Sequence, residues 1–173
     1  MNNIKIYLGT FILLFVLSFG GENAVHASAN DLLAQGKITP IAVGRILQDQ
    51  GIPYQTKFDE STKRPKIIVT ARQLPSEQFE IYFFDCVNET ECQSITLWSW
   101  YKPLIGINYA RSNIWNRKNR FLKSYLDGDF NPVLEMDIQA YGGIGPINLK
   151  TLINAYIKAI PVYADYMKVN SLD

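Results

Sequence analysis

Histidine is almost missing from this chain of 173 residues: His26 is the only one. A nucleophile–imidazole pair, or a metal held by imidazole, would have to be built on that one side chain. Cysteine is nearly as scarce, with Cys86 and Cys92 alone. Charge is sparse and balanced, at 19% charged residues and a formal net charge of +1. The chain as a whole therefore has no electrostatic pull toward nucleic acid or an anionic membrane, and any such attraction must come from a local patch. There is no internal repeat, no low-complexity run and no linker that would divide off a second domain. Phosphate-cradling glycine loops, nucleophile elbows and metal motifs are also missing. Asp127-x-Asp129-x-Asn131 imitates the start of a calcium loop, but Pro132 stands where that loop needs Gly and Ile138 where it needs Glu. It reads as a hairpin turn.

What is present begins with 47% hydrophobic residues, a globular value that suits one domain with a sizeable core. At the N-terminus Lys5 precedes an almost unbroken apolar stretch, Ile6–Phe19, ended by Gly20 and Gly21. At roughly 14 residues that stretch is short against the roughly 20 needed to span a bilayer. Small residues then offer signal peptidase two sites, after Ala27 and after Ala29. The expectation is a signal peptide over residues 1–29, cleaved after 27 or 29, and a single domain over 30–173. Either cut removes His26. No later segment is apolar enough to span, so the expectation is a periplasmic or secreted protein with no stable membrane insertion.

Thr39-Pro40 reads as a helix cap followed by proline at the first helical position, with Ile41, Val43, Ile46 and Leu47 along one side and Gly51 as the stop. Strands are expected over 53–58, 66–71, 79–85 and 93–101, then a helix over 112–122. A hairpin over 123–126 and 133–141 follows, then a last helix from Pro146 that Pro161 kinks or ends. This order describes an α+β domain.

Cys86 and Cys92 flank a short loop between two strands and most simply form a disulfide in an exported chain. Counting outward from that pair places Phe83 opposite Ile95 and Ile81 opposite Leu97 on an aliphatic face. Tyr82 then meets Thr96, Glu80 meets Trp98 and Phe84 meets Ser94 on the other face, with Trp100 beyond. Tyr82, Phe84, Trp98 and Trp100 make this second face a candidate partner-binding surface. A helix or loop laid over it would account for them equally well. Arg111, Arg117, Lys118, Arg120 and Lys123 form a run of cations without an acid. That run suits recognition of a phosphate, a carboxylate or an acidic surface, or an ordinary solvated helix face. Glu135 and Asp137 share a strand face and are expected to point to solvent. Asn88-Glu89-Thr90 matches a glycosylation sequon.

The segment Asn113-Ile114-Trp115-Asn116-Arg117, then Arg120-Phe121, resembles the central motif of the YbjN family of bacterial proteins. Tyr125-Leu126-Asp127, Asp129, Leu134, Asp137 and Gly142-Gly143-Ile144 fit the same family in order and spacing, over roughly Ile38 to Met167. The resemblance implies a fold similar to type III secretion chaperones, an antiparallel sheet packed with helices. Family members are described as regulators of sensory transduction, and the family supplies no catalytic residues. Gly145 departs from the Ser or Thr cap expected there. Trp115 and Phe121 are expected to anchor the middle helix, and Gly142 and Gly143 to reverse the chain.

Together these readings lead to a non-catalytic protein- or peptide-binding module of the periplasm, with a homodimer among its partners and no cofactor or nucleic acid. A binder of an anionic ligand through residues 111–123 is the alternative. A carboxylate-dependent hydrolase is a remote third.

Overall fold

The structure, a computed structural model, describes residues 28–70, 78–102 and 108–168. Most of the expected signal peptide, residues 1–27, lies outside them, and so does His26. Six strands form one antiparallel sheet: β1 (Tyr54–Asp59), β2 (Arg64–Thr70), β3 (Gln78–Val87), β4 (Glu91–Trp100), β5 (Lys123–Leu126) and β6 (Pro132–Gln139). Their order across the sheet is β1-β2-β3-β4-β6-β5. The described residues also form four helices: α1 (Ala29–Ala34), α2 (Pro40–Gln48), α3 (Tyr109–Lys118) and α4 (Pro146–Lys168). No described helix is long and apolar enough to cross a membrane.

The β3–β4 hairpin has the expected register. Cys86 and Cys92 are joined by a disulfide, and Phe84–Ser94, Phe83–Ile95, Tyr82–Thr96, Ile81–Leu97 and Glu80–Trp98 face each other above it. Strand alternation then sends Phe79, Ile81, Phe83, Ile95 and Leu97 into the core. Cys92 also exchanges main-chain hydrogen bonds with Ile38, so the segment entering α2 is tied to the same hairpin.

The helices depart from expectation in instructive ways. Helix α1 was not anticipated, although Ser28 and Asp31 form a capping box: the Asp31 amide donates to Ser28 Oγ and the Ser28 amide to Asp31 Oδ2. Helix α2 begins as expected, with Thr39 Oγ1 accepting from the Ala42 amide. Val43, Ile46 and Leu47 are buried, but Ile41 points away from them into solvent. Helix α3 starts at the Asn108 cap and stops at Lys118, earlier than expected at both ends. Trp115 is the buried anchor, whereas Phe121 lies beyond the helix at φ 66° and is 70% exposed. Helix α4 runs through Pro161 to Lys168. Proline removes one helical hydrogen bond there. Tyr163, Ala164 and Met167 beyond it are buried on the sheet, and that burial carries the helix on.

Gly142 and Gly143 have positive φ and reverse the chain between β6 and α4. A Cβ on Gly143 would stand 2.6 Å from the Ala34 carbonyl oxygen. This close approach lets the Ile144 amide donate to the Leu33 carbonyl and docks α1 on the loop.

Helix α4 is fastened to the sheet by tyrosines. Tyr156 Oη donates to the Leu134 carbonyl at 2.8 Å and shares a 2.7 Å hydrogen bond with Ser99 Oγ. One heptad on, Tyr163 Oη donates to the Val133 carbonyl at 3.0 Å and meets Ser124 Oγ at 2.8 Å. Phe79 packs on Tyr156, while Tyr101 and Trp115 pack edge-on to Tyr163. Burial pushes both phenols upward from their ordinary value, because a buried phenolate would lose its hydration.

A folded-state pKa above the unfolded value of about 10 means a contribution complete below pH 10 and lost as pH rises beyond it. Urea unfolding midpoints are therefore expected to hold from pH 7 to 9.5 and to fall between pH 10 and 12. Tyr163→Phe should be less stable by about 1–2 kcal/mol at pH 7 and lose less on the alkaline side. An alkaline loss as large in the Tyr156→Phe, Tyr163→Phe double variant as in the wild type would assign it to other groups.

Candidate functional site

All four helices that hold the core lie against one side of the sheet: Tyr156 reaches Ser99, Ser112 reaches Ser124, and α2 packs over β1 and β2. The opposite side, on the described residues, carries no helix. Tyr82, Phe84 and Trp98 are half-buried there and Trp100 is 42% exposed. Of the two readings left open by the sequence, the uncovered one holds for the described residues.

These aromatics sit in a polar network that runs across the strands. Lys66 pairs with Glu80 at 3.3 Å, and Tyr82 Oη donates to the same Glu80 Oε2. The Lys66 ammonium also lies 5.6 Å from the Tyr82 ring centroid, and the Arg64 guanidinium 5.1 Å from that of Phe84. Tyr82 meets Trp98 edge-to-face at 6.3 Å. Trp98 Nε1 donates to Tyr125 Oη at 3.3 Å, and Tyr125 Oη donates to Glu135 Oε2 at 2.7 Å. Lys123 closes the row on Glu135 Oε1 at 2.6 Å, beneath a 5.1 Å approach to the Tyr125 ring. Burial, then the bond to Glu135, pushes the Tyr125 phenol up to about 12, and burial with Glu80 pushes Tyr82 up as well. The hydrogen bond to Glu135 also raises Lys123. These groups keep fixed protonation states at neutral pH, which suits a rigid contact surface better than proton transfer.

Sequence reasoning found the aromatics and missed what holds them. Arg64, Lys66, Tyr125 and Glu135 stand on three other strands, and only the full strand order brings them beside Trp98. Glu135 was expected in solvent and is instead buried under Lys123 and Tyr125. Asp137 is exposed as expected and accepts from Thr96 Oγ1 at 2.6 Å. Asp127 accepts from the amides of Asp129 and Asn131, making the hairpin turn that the sequence suggested.

The basic run does not form one site. Arg111 is 4% exposed: its guanidinium stacks on the Tyr166 ring at 4.8 Å and donates to the Tyr166 carbonyl, so it belongs to the core. This corrects the expectation that Arg111 recognises an anion. Its position, three residues into α3, faces α4 and not solvent. Lys123 faces the sheet network. Arg117, Lys118 and Arg120 remain exposed around the C-terminus of α3, where cations complement the helix dipole. Among the described residues no group of three His, Cys, Asp or Glu side chains is placed to hold a metal.

No family model matches the chain, and no curated protein matches it in sequence. Among solved structures, the crystal structure of YbjN from E. coli superposes with a TM-score of 0.52 over 75% of this chain and 90% of that one, at 12% identity. The fold is YbjN-like. The Yersinia pestis type III secretion chaperone SycH, solved in complex with a stable fragment of YscM2, aligns with a TM-score of 0.45 at 13% identity, over 78% of this chain and 98% of that one. The YbjN-like architecture agrees with the α+β, helix-packed antiparallel sheet expected from the motif order.

Arg111→Ala should destabilise the domain by about 2–4 kcal/mol, through lost stacking and an abandoned carbonyl. Arg117→Ala, Lys118→Ala and Arg120→Ala should each stay within about 0.5 kcal/mol of wild type. Denaturant melts check both. Equal effects at all four positions would return Arg111 to the surface.

Proposed function

We propose that the protein is a non-catalytic protein-binding module whose contact surface is the uncovered sheet face, and that the partner seated there is a second copy of the chain. The observation that carries this reading is the row of Tyr82, Phe84, Trp98 and Trp100, left partly in solvent on a face no described helix covers. Large aromatics with fixed polar partners are the residues that anchor interfaces. The charges beside them favour self-association. Lys57 and Arg64 have no ion-pair partner among the described residues and stand at the β1–β2 end, while Asp137 stands on β6 across the aromatic centre. A two-fold axis along the strands would lay the basic end of one copy over Asp137 of the other, the self-complementarity an isologous contact needs.

The alternatives fare less well. Glu135 is buried and holds Lys123 and Tyr125, one on each oxygen, which suits a structural carboxylate better than a general acid or base. An anion site on residues 111–123 loses Arg111 to the core and Lys123 to Glu135.

Arg64→Glu and Asp137→Lys should each raise the dimer dissociation constant at least tenfold in sedimentation experiments, and the double variant should recover most of the loss. Trp100→Ala should weaken association by about 2 kcal/mol with little change in melting. A wild-type chain that stays monomeric at hundreds of micromolar would end this reading.

We also propose export with cleavage after Ala27. Its support is the apolar Ile6–Phe19 stretch, a disulfide of the kind that persists in oxidising compartments, and the Ser28 cap. A cut after Ala29 would remove that cap and the first residue of α1. Mass spectrometry of the periplasmic fraction of a Gram-negative host should find a chain starting at Ser28. A chain starting at Asn30, or an uncut one in the membrane fraction, would contradict it.

A further inference from the structure

On the helical side of the sheet, away from the aromatic row, a groove of about 600 Å³ runs between α1, α2 and the edge strand β1. Ile41 of α2 and Phe58 of β1 both line it, 66% and 44% exposed, although the neighbouring residues of α2 are buried. Leu32, Pro40 and Pro65 extend the apolar wall. Arg45, one turn after Ile41, is the groove's uncommitted charge: it makes no ion pair or hydrogen bond to another described side chain. Glu91, also in the wall, is held by Lys37.

The third element is main chain. Thr56 pairs with the core residue Ile67, and Lys57 pairs with Lys66 of the opposite face. By strand alternation the Lys57 side chain points away from the groove. The Thr70 amide donates to the Pro53 carbonyl, so the main-chain groups of β1 that point outward are those of Tyr54, Thr56 and Phe58. The two edges of the sheet are treated differently. On β5, Asn116 of α3 accepts from the Ser124 amide at 2.7 Å and donates to the Ser124 carbonyl at 3.0 Å, which caps that edge. On β1, no described side chain or loop bonds to the outer main-chain groups of Tyr54–Phe58, and the strand holds no proline. An uncapped edge of this kind is a template for another strand.

We infer that the groove binds an extended peptide segment of a partner protein, added as a strand to β1, with an apolar side chain between Ile41 and Phe58 and a carboxylate on Arg45. Ile41 and Arg45 stand four residues apart on one helix, about 6 Å along its axis. Alternate side chains of a strand repeat at about 6.6 Å. The bound segment therefore carries an acidic residue two positions from an apolar one, both turned toward α2. An acyl chain would use the apolar wall and Arg45 but leave the strand edge unpaired, which favours the peptide.

The test uses the soluble domain and three probes: a blocked, fluorescein-labelled Gly-Thr-Leu-Thr-Glu-Thr-Gly peptide, the same peptide with Lys for Glu, and sodium oleate. Anisotropy should show saturable binding of the Glu peptide and at least tenfold weaker binding of the Lys peptide. Arg45→Glu should reverse that preference. Ile41→Asp, a substitution at an exposed position, should weaken both peptides. Amide exchange should slow at Thr56 and Phe58, whose amides point outward, when the Glu peptide is bound. Arg64→Glu, on the dimer face, should leave peptide binding unchanged, so this site and the dimer can fail separately. Equal binding of the two peptides, no binding at millimolar concentration, or binding of oleate in place of peptide would each overturn the inference.

Discussion

Two tyrosine hydroxyls, seven residues apart on one long helix, hold α4 against the carbonyls of Val133 and Leu134 in β6. Strand β6 lies between β4 and β5, so this fastening fixes the helix over the centre and far side of the sheet. Each hydroxyl is buried with its full set of partners, and leaving one unpaired would cost about 1–3 kcal/mol. Shifting α4 along its axis would break both at once. With α4 in place, Trp115 finds Tyr163 and Tyr166, Arg111 finds Tyr166, and α3 is seated against β5. Asn116 then caps that edge, and among the described residues the core closes on one side of the sheet.

That one-sidedness is what gives the molecule two distinct surfaces. On the other side, aromatic rings are held by lysine, glutamate and tyrosine partners in an ordered row. On the helical side, α2 covers β2 and leans on β1 without closing over Phe58, which leaves the groove. The dimer is proposed for the aromatic face, and the peptide site for the groove and the outer edge of β1.

Much of this was legible in the chain. The Cys86–Cys92 spacing led to the hairpin register, because one cross-strand pair fixes every other by alternation. The Thr39-Pro40 cap, the Asp127 turn and the Gly142-Gly143 reversal are local chemistry, and each stands where expected. What could not be read depended on packing between distant segments. Arg111 and Glu135 look like surface charges in sequence, and only the approach of α4 and β5 turns one into a core residue and the other into the hub of a network. Phe121 resembled an anchor because the helical pattern continued through it, yet α3 ends three residues earlier. Pro161 looked like a stop, but burial beyond it outweighs one lost hydrogen bond. The groove gave no signal at all: Ile41 fits the apolar stripe of α2 until its neighbours are placed. The short helix α1 did announce itself, through Ser28 and Asp31, next to a cleavage site that drew the eye first.

On the described residues the sheet is covered on one side and open on the other, and the three tryptophans report on it directly. Hydroxyl-radical footprinting read by mass spectrometry, over a range of protein concentrations, compares them in one sample. Trp115 should resist oxidation throughout. Trp100, and to a smaller degree Trp98, should be oxidised in dilute protein and become protected as concentration rises and copies associate. Protection of Trp100 equal to that of Trp115 at the lowest concentration would mean that the face is covered within a single chain, and would contradict the account.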